Sequence, residues 1–198
     1  MILLACAVEA ELGFWQPRAG VTAIVTGIGP VEASCALAAA LARRSYRLVI
    51  NAGIAGALDG AAALGDGVAV ADDAMELGLE IGGVLALPRG AELVERAHSD
   101  SGLVEGLRSK GFAALRGITV SRVTSTEATA RRLAELGAQV ESMEGFAALR
   151  AAQRAGVRAI ELRGISNRCG ARESSNWDFS AGVAGLQRVV EALFECSL

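Results

Sequence analysis

The feature that most constrains this chain is its rhythm: short runs of Val, Ile, Leu and Ala alternate with longer Ala-rich stretches of helical spacing. Continuous apolar runs this short read as strands buried on both faces. Residues 2–8 (ILLACAV), 21–26 (VTAIVT), 47–52 (RLVINA), 67–71 (GVAVA), 116–123, 139–142 and 157–165 (VRAIELRGI) fit that description. Helical patterns fall between them, from Pro30 to about Arg44 and over 101–110, 126–137, 143–155 and 180–195. Pro30 suits a first helical turn, where a missing N–H is harmless, and Gly137 suits a helix C-cap. Alternation of this kind predicts an α/β fold: a single domain over 1–198, three layers (α/β/α), with a mixed, mainly parallel twisted sheet.

Composition removes several classes of function. Of the 198 residues, 52% are hydrophobic and 21% charged, so disorder is excluded and a large core is available. A net charge of -3 offers no basic field for nucleic acid. Arg43, Arg44, Asp66, Asp72 and Asp73 interrupt the apolar stretches before they reach the roughly 20 residues a membrane span needs. The apolar start has no basic leader and runs at once into Glu9 and Glu11, which speaks against a signal peptide and for a cytoplasmic protein. Cys6, Cys35, Cys169 and Cys196 are scattered, without CxxC, and His98 is the single histidine. Buried free thiols in a reducing compartment are expected, with no metal site.

Parallel sheets bind ligands at the carboxyl ends of their strands, which directs attention to 9–15, 27–30, 53–60, 122–126, 141–144 and 166–179. Glu9-Ala10-Glu11 reads either as a solvated acidic turn or as a carboxylate base at a cleft edge. Thr26-Gly27-Ile28-Gly29-Pro30 imitates a phosphate loop, but Glu32 stands where the third glycine belongs and would repel phosphate from the helix start. Asn51 to Gly56 is a glycine turn that lets backbone approach a ligand or simply makes a tight connection. Glu141 and Glu144 lie in an otherwise apolar junction, where a carboxylate is costly unless it has a partner or a task; capping by Glu141 or Ser142 is the plainer role. After 163–167 a long polar loop carries Trp177 and Phe179, either core rings or a lid over a flat ligand.

Taken in order, VEAEL, TGIGP, NAGIAGAL, VESMEG and RGISN…NW resemble the nucleoside phosphorylase/nucleosidase superfamily, and within it the sequence is most similar to the futalosine hydrolase family. The resemblance runs from Glu9 to about Phe179 and is thin between Asp72 and Gly117. It implies a cleft for a small purine nucleoside, hydrolysis of the N-glycosidic bond of futalosine in menaquinone biosynthesis, and release of hypoxanthine. It further implies no cofactor, no nucleic acid or membrane partner, and a homodimer or higher homo-oligomer in which a neighbouring subunit completes the site.

The same resemblance assigns roles. Glu11 would orient and deprotonate the attacking water, while Glu144 would hold the ribose hydroxyls and face the oxocarbenium-like sugar. Met143 would pack on the sugar. Arg163 would fix carboxylates or water, its simpler alternative being an ion pair with Glu161. Ile54, Ala55 and Gly56 at the glycine turn, Val123 and Thr124 at a strand end, Glu141 and Trp177 complete the substrate-binding set, with Asn176, Trp177 and Phe179 over the 5′ substituent; Arg168 or Arg172 would meet its carboxylate or, the preferred reading, stand in solvent. Asn167 stands where adenine-cleaving relatives carry an aspartate that protonates the base. A carboxamide gives no proton but both donates and accepts, which suits a 6-oxopurine. No arginine precedes the glycine turn to grip phosphate, so hydrolysis is expected over phosphorolysis. The alternatives are another purine nucleosidase or phosphorylase acting on inosine or methylthioadenosine, and a non-catalytic nucleoside sensor that has no need of Glu11.

Overall fold

In chain order the elements are β1 (Ile2–Cys6), a 3-10 turn (Glu9–Leu12), β2 (Val21–Val25), α1 (Pro30–Arg43), β3 (Leu48–Ala57), β4 (Gly67–Met75), β5 (Arg96–His98), α2 (Ser101–Ser109), β6 (Ala113–Thr119), α3 (Glu127–Glu135), β7 (Val140–Ser142), α4 (Gly145–Arg154), β8 (Arg158–Arg168) and α5 (Phe179–Phe194). The computed structural model describes residues 1–76, 89, 93–170 and 177–196.

The unbroken apolar character of β1 has a direct cause: both of its faces are covered. Ile2, Leu4 and Cys6 join a core with Leu103 and Leu107 of α2 and Leu186, Val189 and Val190 of α5. Leu3 and Ala5 face the other way, against Leu37 of α1 and Ala148, Leu149 and Ala152 of α4. The sheet is thus the middle of three layers. It is mixed and mainly parallel: β1 pairs in parallel with β2 and β3, β8 with β3, and β6 with β4 and β7. The antiparallel pairs are β3–β7, β4–β5 and β4–β8. The path β3–β8–β4–β6–β7 returns to β3, so half the sheet closes on itself around a small interior of Ala55, Val68, Val70, Leu115, Val140 and Ile165.

Closure lengthens the strands beyond the ends read from sequence. β3 runs through Ala57, β4 to Met75 and β8 to Arg168. Residues 53–57 are therefore strand, not loop: β8 pairs with all of them, and β7 joins from the other side at Gly56 and Ala57. β6 ends at Thr119, short of the expected Val123, while β5 and the 3-10 turn carry no strong periodic signal of their own. Cys6 alone of the thiols is buried, its pKa pushed up to about 12 by burial. Cys35 is exposed and Cys169 and Cys196 are half-buried, against the expectation of uniformly buried thiols. Among the described residues no helix is long and apolar enough to cross a membrane.

Helix α5 lies close enough to β8 that backbone meets backbone. A Cβ on Gly164 would overlap the Gly182 carbonyl and fall 2.6 Å from the Leu186 nitrogen. Neither neighbour is the loose end of a side chain, so the layers must separate to admit a methyl. Gly164→Ala is expected to destabilise the fold by about 3 kcal/mol, measured as a lower urea midpoint at unchanged m-value.

Candidate active site

The carboxyl ends of β1, β3, β7 and β8 converge on one cavity of about 250 Å³. Glu11 enters it from the 3-10 turn that follows β1. The tight turn points Glu9 to solvent and buries Glu11. One carboxylate oxygen of Glu11 accepts the amides of Ala7 at 2.9 Å and Val8 at 3.1 Å. The other accepts the amide of Ile54 at 2.9 Å. Three backbone donors from two strand ends thus fix the group in position.

Glu144 is the N-cap residue of α4, at the end of β7. It is buried and accepts the Gly29 amide, 2.8 Å away at the start of α1. Burial raises its pKa, with the charge of Arg163 pulling the other way. The helix N-terminus that could have faced an anion is thereby taken by this side chain. Glu141, three residues earlier on β7, is also buried, and burial raises its pKa. The Thr124 amide donates to one of its oxygens at 2.9 Å, and the Thr124 hydroxyl makes a short contact with the other.

Asn167 reaches the cavity because β8 is irregular. Ala55 pairs with Ile165 but Gly56 pairs with Asn167, so Ser166 is an extra residue, a β-bulge. The bulge turns both Ser166 and Asn167 into the cavity. The Ser166 hydroxyl donates to Asn167 Oδ1 at 3.0 Å, and Asn167 Nδ2 donates to the Arg168 carbonyl at 3.1 Å. Gly56 also pairs with Glu141 across β7, so an acid and a carboxamide flank it on either side.

Eleven of the twelve expected positions line this space. Glu11, Glu141, Glu144 and Asn167 supply its chemistry, Ile54, Ala55 and Gly56 its floor, and Val123, Thr124, Met143 and Trp177 its rim. Arg163 is the correction. It is 1% exposed and lies behind the wall, its Nε donating to Glu161 Oε1 at 2.9 Å. Burial opposes its charge, but Glu161, Glu144 and Glu11 more than restore it and raise its pKa. It is absent from the lining, and the ion pair with Glu161 is the simpler of the two roles the sequence offered. Trp177 is exposed at the mouth and Phe179 lines the cavity, so neither ring is core. Arg168 is exposed; Arg172 and Asn176 lie outside the described residues. Ala7, Val8, Ile28 and Ser166 also line the cavity and were not singled out from sequence. Ile28 falls within the TGIGP motif, but nothing in the chain announces a bulge at Ser166.

Against known proteins, residues 12–196 match the phosphorylase superfamily. A futalosine hydrolase from Thermus thermophilus is 37% identical over 182 residues, covering 88% of this chain and 81% of its own length. A futalosine hydrolase from Acidothermus cellulolyticus is 40% identical over 181 residues, 86% of this chain and 73% of its own. The fold matches that of 5′-methylthioadenosine/S-adenosylhomocysteine nucleosidase from Neisseria meningitidis, solved with methylthio-immucillin-A, at a TM-score of 0.82, 17% identity and 98% of both chains. The chain belongs to the phosphorylase superfamily and, within it, to the futalosine hydrolase family.

Gly53 is where the cavity wall is thinnest. A Cβ there would collide with Arg163 Nη1 and lie 2.8 Å from Glu11 Oε1. Gly53→Ala is expected to displace the Glu11 carboxylate and cut kcat at least about tenfold. Far-ultraviolet circular dichroism is expected to stay native, separating loss of position from loss of fold.

Proposed function

We propose that this protein hydrolyses the N-glycosidic bond of futalosine, releasing hypoxanthine and dehypoxanthine futalosine for menaquinone biosynthesis, with the whole of 1–198 acting as one nucleosidase domain. The observation that carries this reading is the pairing of Glu11 with Asn167 across one cavity, in a chain 37% and 40% identical to two futalosine hydrolases over the matched residues. A water oxygen held by Glu11 bonds to C1′ as the C1′–N9 bond breaks. The water's proton passes to Glu11, and the bonding electron pair leaves with the purine, held by the Asn167 amide. Glu144 binds the ribose hydroxyls and sets negative charge beside the developing cation. Protons exchanged with solvent return Glu11 to its starting state and neutralise the released base.

The base is read from both sides of Gly56. A 6-oxopurine presents a carbonyl and ring nitrogens to Asn167. It also carries an N1–H for Glu141, whose oxygens each keep a lone pair beyond the Thr124 bond. Adenine lacks that N1–H and would leave the acid facing an acceptor. Water is favoured over phosphate by charge: the described cavity lining holds three carboxylates and no lysine or arginine. A phosphate dianion there would be desolvated and repelled.

Ile28, Val123 and Trp177 at the mouth, with Val25 and Val31 beside them, are exposed apolar side chains. We read this rim as the face of a cytoplasmic homo-oligomer, covering the 5′ group of the substrate.

Two measurements test the assignment. Glu11→Gln is expected to lower kcat at least about 100-fold while futalosine still binds in calorimetry; wild-type turnover should be the same with and without phosphate. Survival of turnover would remove Glu11 as the base; absence of turnover in the wild type itself would leave a binding protein. Asn167→Asp is expected to shift preference toward adenine nucleosides by about tenfold or more, scored by chromatography of the released base.

A further inference from the structure

Behind the cavity floor lies a second acidic cluster that the reaction does not touch. Asp73 on β4 and Glu161 on β8 are both fully buried. Asp73 Oδ1 accepts the Thr119 hydroxyl at 2.8 Å, and that hydroxyl accepts the Phe146 amide at 2.8 Å. Glu161 Oε1 accepts Arg163 Nε. The other two oxygens, Asp73 Oδ2 and Glu161 Oε2, have no hydrogen-bond partner among the described residues. Both press on the same point: a Cβ on Gly145 would collide with Asp73 Oδ2 and lie 2.6 Å from Glu161 Oε2.

The charges around them are few. Arg163 faces the pair from β8 and Glu144 faces Glu161 from the cap of α4, while Glu11, on the 3-10 turn, acts on Arg163. Neutral Ser99 donates to Val70 O and accepts the Glu161 amide, and Asn51 is the register neighbour of Glu161 on β3. Four carboxyls therefore act around one guanidinium, Asp73 and Glu161 fully buried and Glu11 and Glu144 at the cavity, more negative charge than a single cation can offset. Two bare carboxylate oxygens placed together repel. A proton between them replaces two orphan acceptors by one donor–acceptor bond.

We propose that Asp73 and Glu161 share a single proton, and that this acid pair is the positioning element that holds Arg163 behind Glu11 and Glu144. Asp73 donates to Glu161, one negative charge remains, and it sits opposite Arg163. Glu161 then fixes Arg163 Nε, and Nη1 is directed past Gly53 toward Glu11. Without the proton the second negative charge draws the guanidinium deeper and away from Glu11. Burial, then the charge of Glu161, pushes the Asp73 carboxyl well above the usual carboxylate range. Burial also raises Glu161, against the pull of Arg163.

The proton is tested without reference to turnover, while the consequence for Arg163 rests on Glu11 and Glu144 being the reacting groups. Infrared difference spectra of wild type against Asp73→Asn at neutral pH should show one protonated carboxyl stretch, shifted in D2O and absent from the variant. The wild-type fold retains a proton that the unfolded chain releases, so wild-type stability should fall as pH rises above the ordinary aspartate pKa. Relative to D73N, its unfolding constant should rise about tenfold per pH unit until the pair itself titrates. Because an amide donates the same bond, D73N should keep kcat within about threefold. Glu161→Gln leaves Asp73 to carry the charge. The D73N/E161Q double variant leaves Arg163 no counter-charge in the pair, and kcat should fall about thirtyfold beyond the product of the single effects at little-changed KM. Absence of the protonated band refutes the shared proton. A double variant that folds and turns over like wild type refutes the positioning role, whatever Glu11→Gln shows about hydrolysis.

Discussion

A single buried cation makes the acidic interior of this protein tolerable. Arg163 is 1% exposed, and the carboxylates of Glu161, Glu144 and Glu11 all act on it. Removing such a charge leaves its partners uncompensated in a region of low dielectric, where the cost is several kcal/mol per ion. The arrangement ties the catalytic wall to the sheet beneath it. Glu11 and Glu144 take their positions from backbone amides, and Arg163 supplies the field that lets both stand close together.

Strand β3 is the mechanical counterpart of that cation. It pairs with β1, β7 and β8, and its glycines allow side chains from both neighbours to crowd against it. At Gly53 the crowding is by Arg163 and Glu11, and at Gly56 by Asn167 and Cys169. A side chain at either position would occupy the space that the functional groups need. Ring closure through β7 then brings Glu141 to the same strand from the opposite side. The groups proposed to recognise the base and to activate water are in this way held against one piece of backbone.

The electrostatic character of the cavity separates it from sites that handle phosphate. Its described lining is acidic and apolar, and the N-terminal amide of Gly29 at the start of α1 is satisfied by Glu144. Such a lining favours a cationic transition state and a neutral nucleophile. It repels a dianion. The same fold hosts different chemistries, so the distinction resides in side chains and not in the architecture.

The layers were legible because each buried strand must be apolar on both faces, and β1 is. Glu11, Glu144 and Asn167 stood out as polar residues at the carboxyl ends of apolar strands, while the roles expected of them came from the resemblance to the nucleosidases. The ends of β3, β4 and β8 were not legible: in β3 the glycines of NAGIAGA suggest a turn, and pairing with β8, joined by β7 at Gly56 and Ala57, keeps them extended. The ion pair of Arg163 with Glu161 was legible as the simpler alternative for that residue, but not the approach of Glu144 and Glu11, which come from the cap of α4 and the 3-10 turn. The sequence by itself determined the α/β layering and the residue types available at the strand ends. The tertiary structure alone decided that Asp73 meets Glu161 and that Ser166 bulges to aim Asn167. Those outcomes depend on strand register between segments far apart in the chain, which local periodicity does not encode.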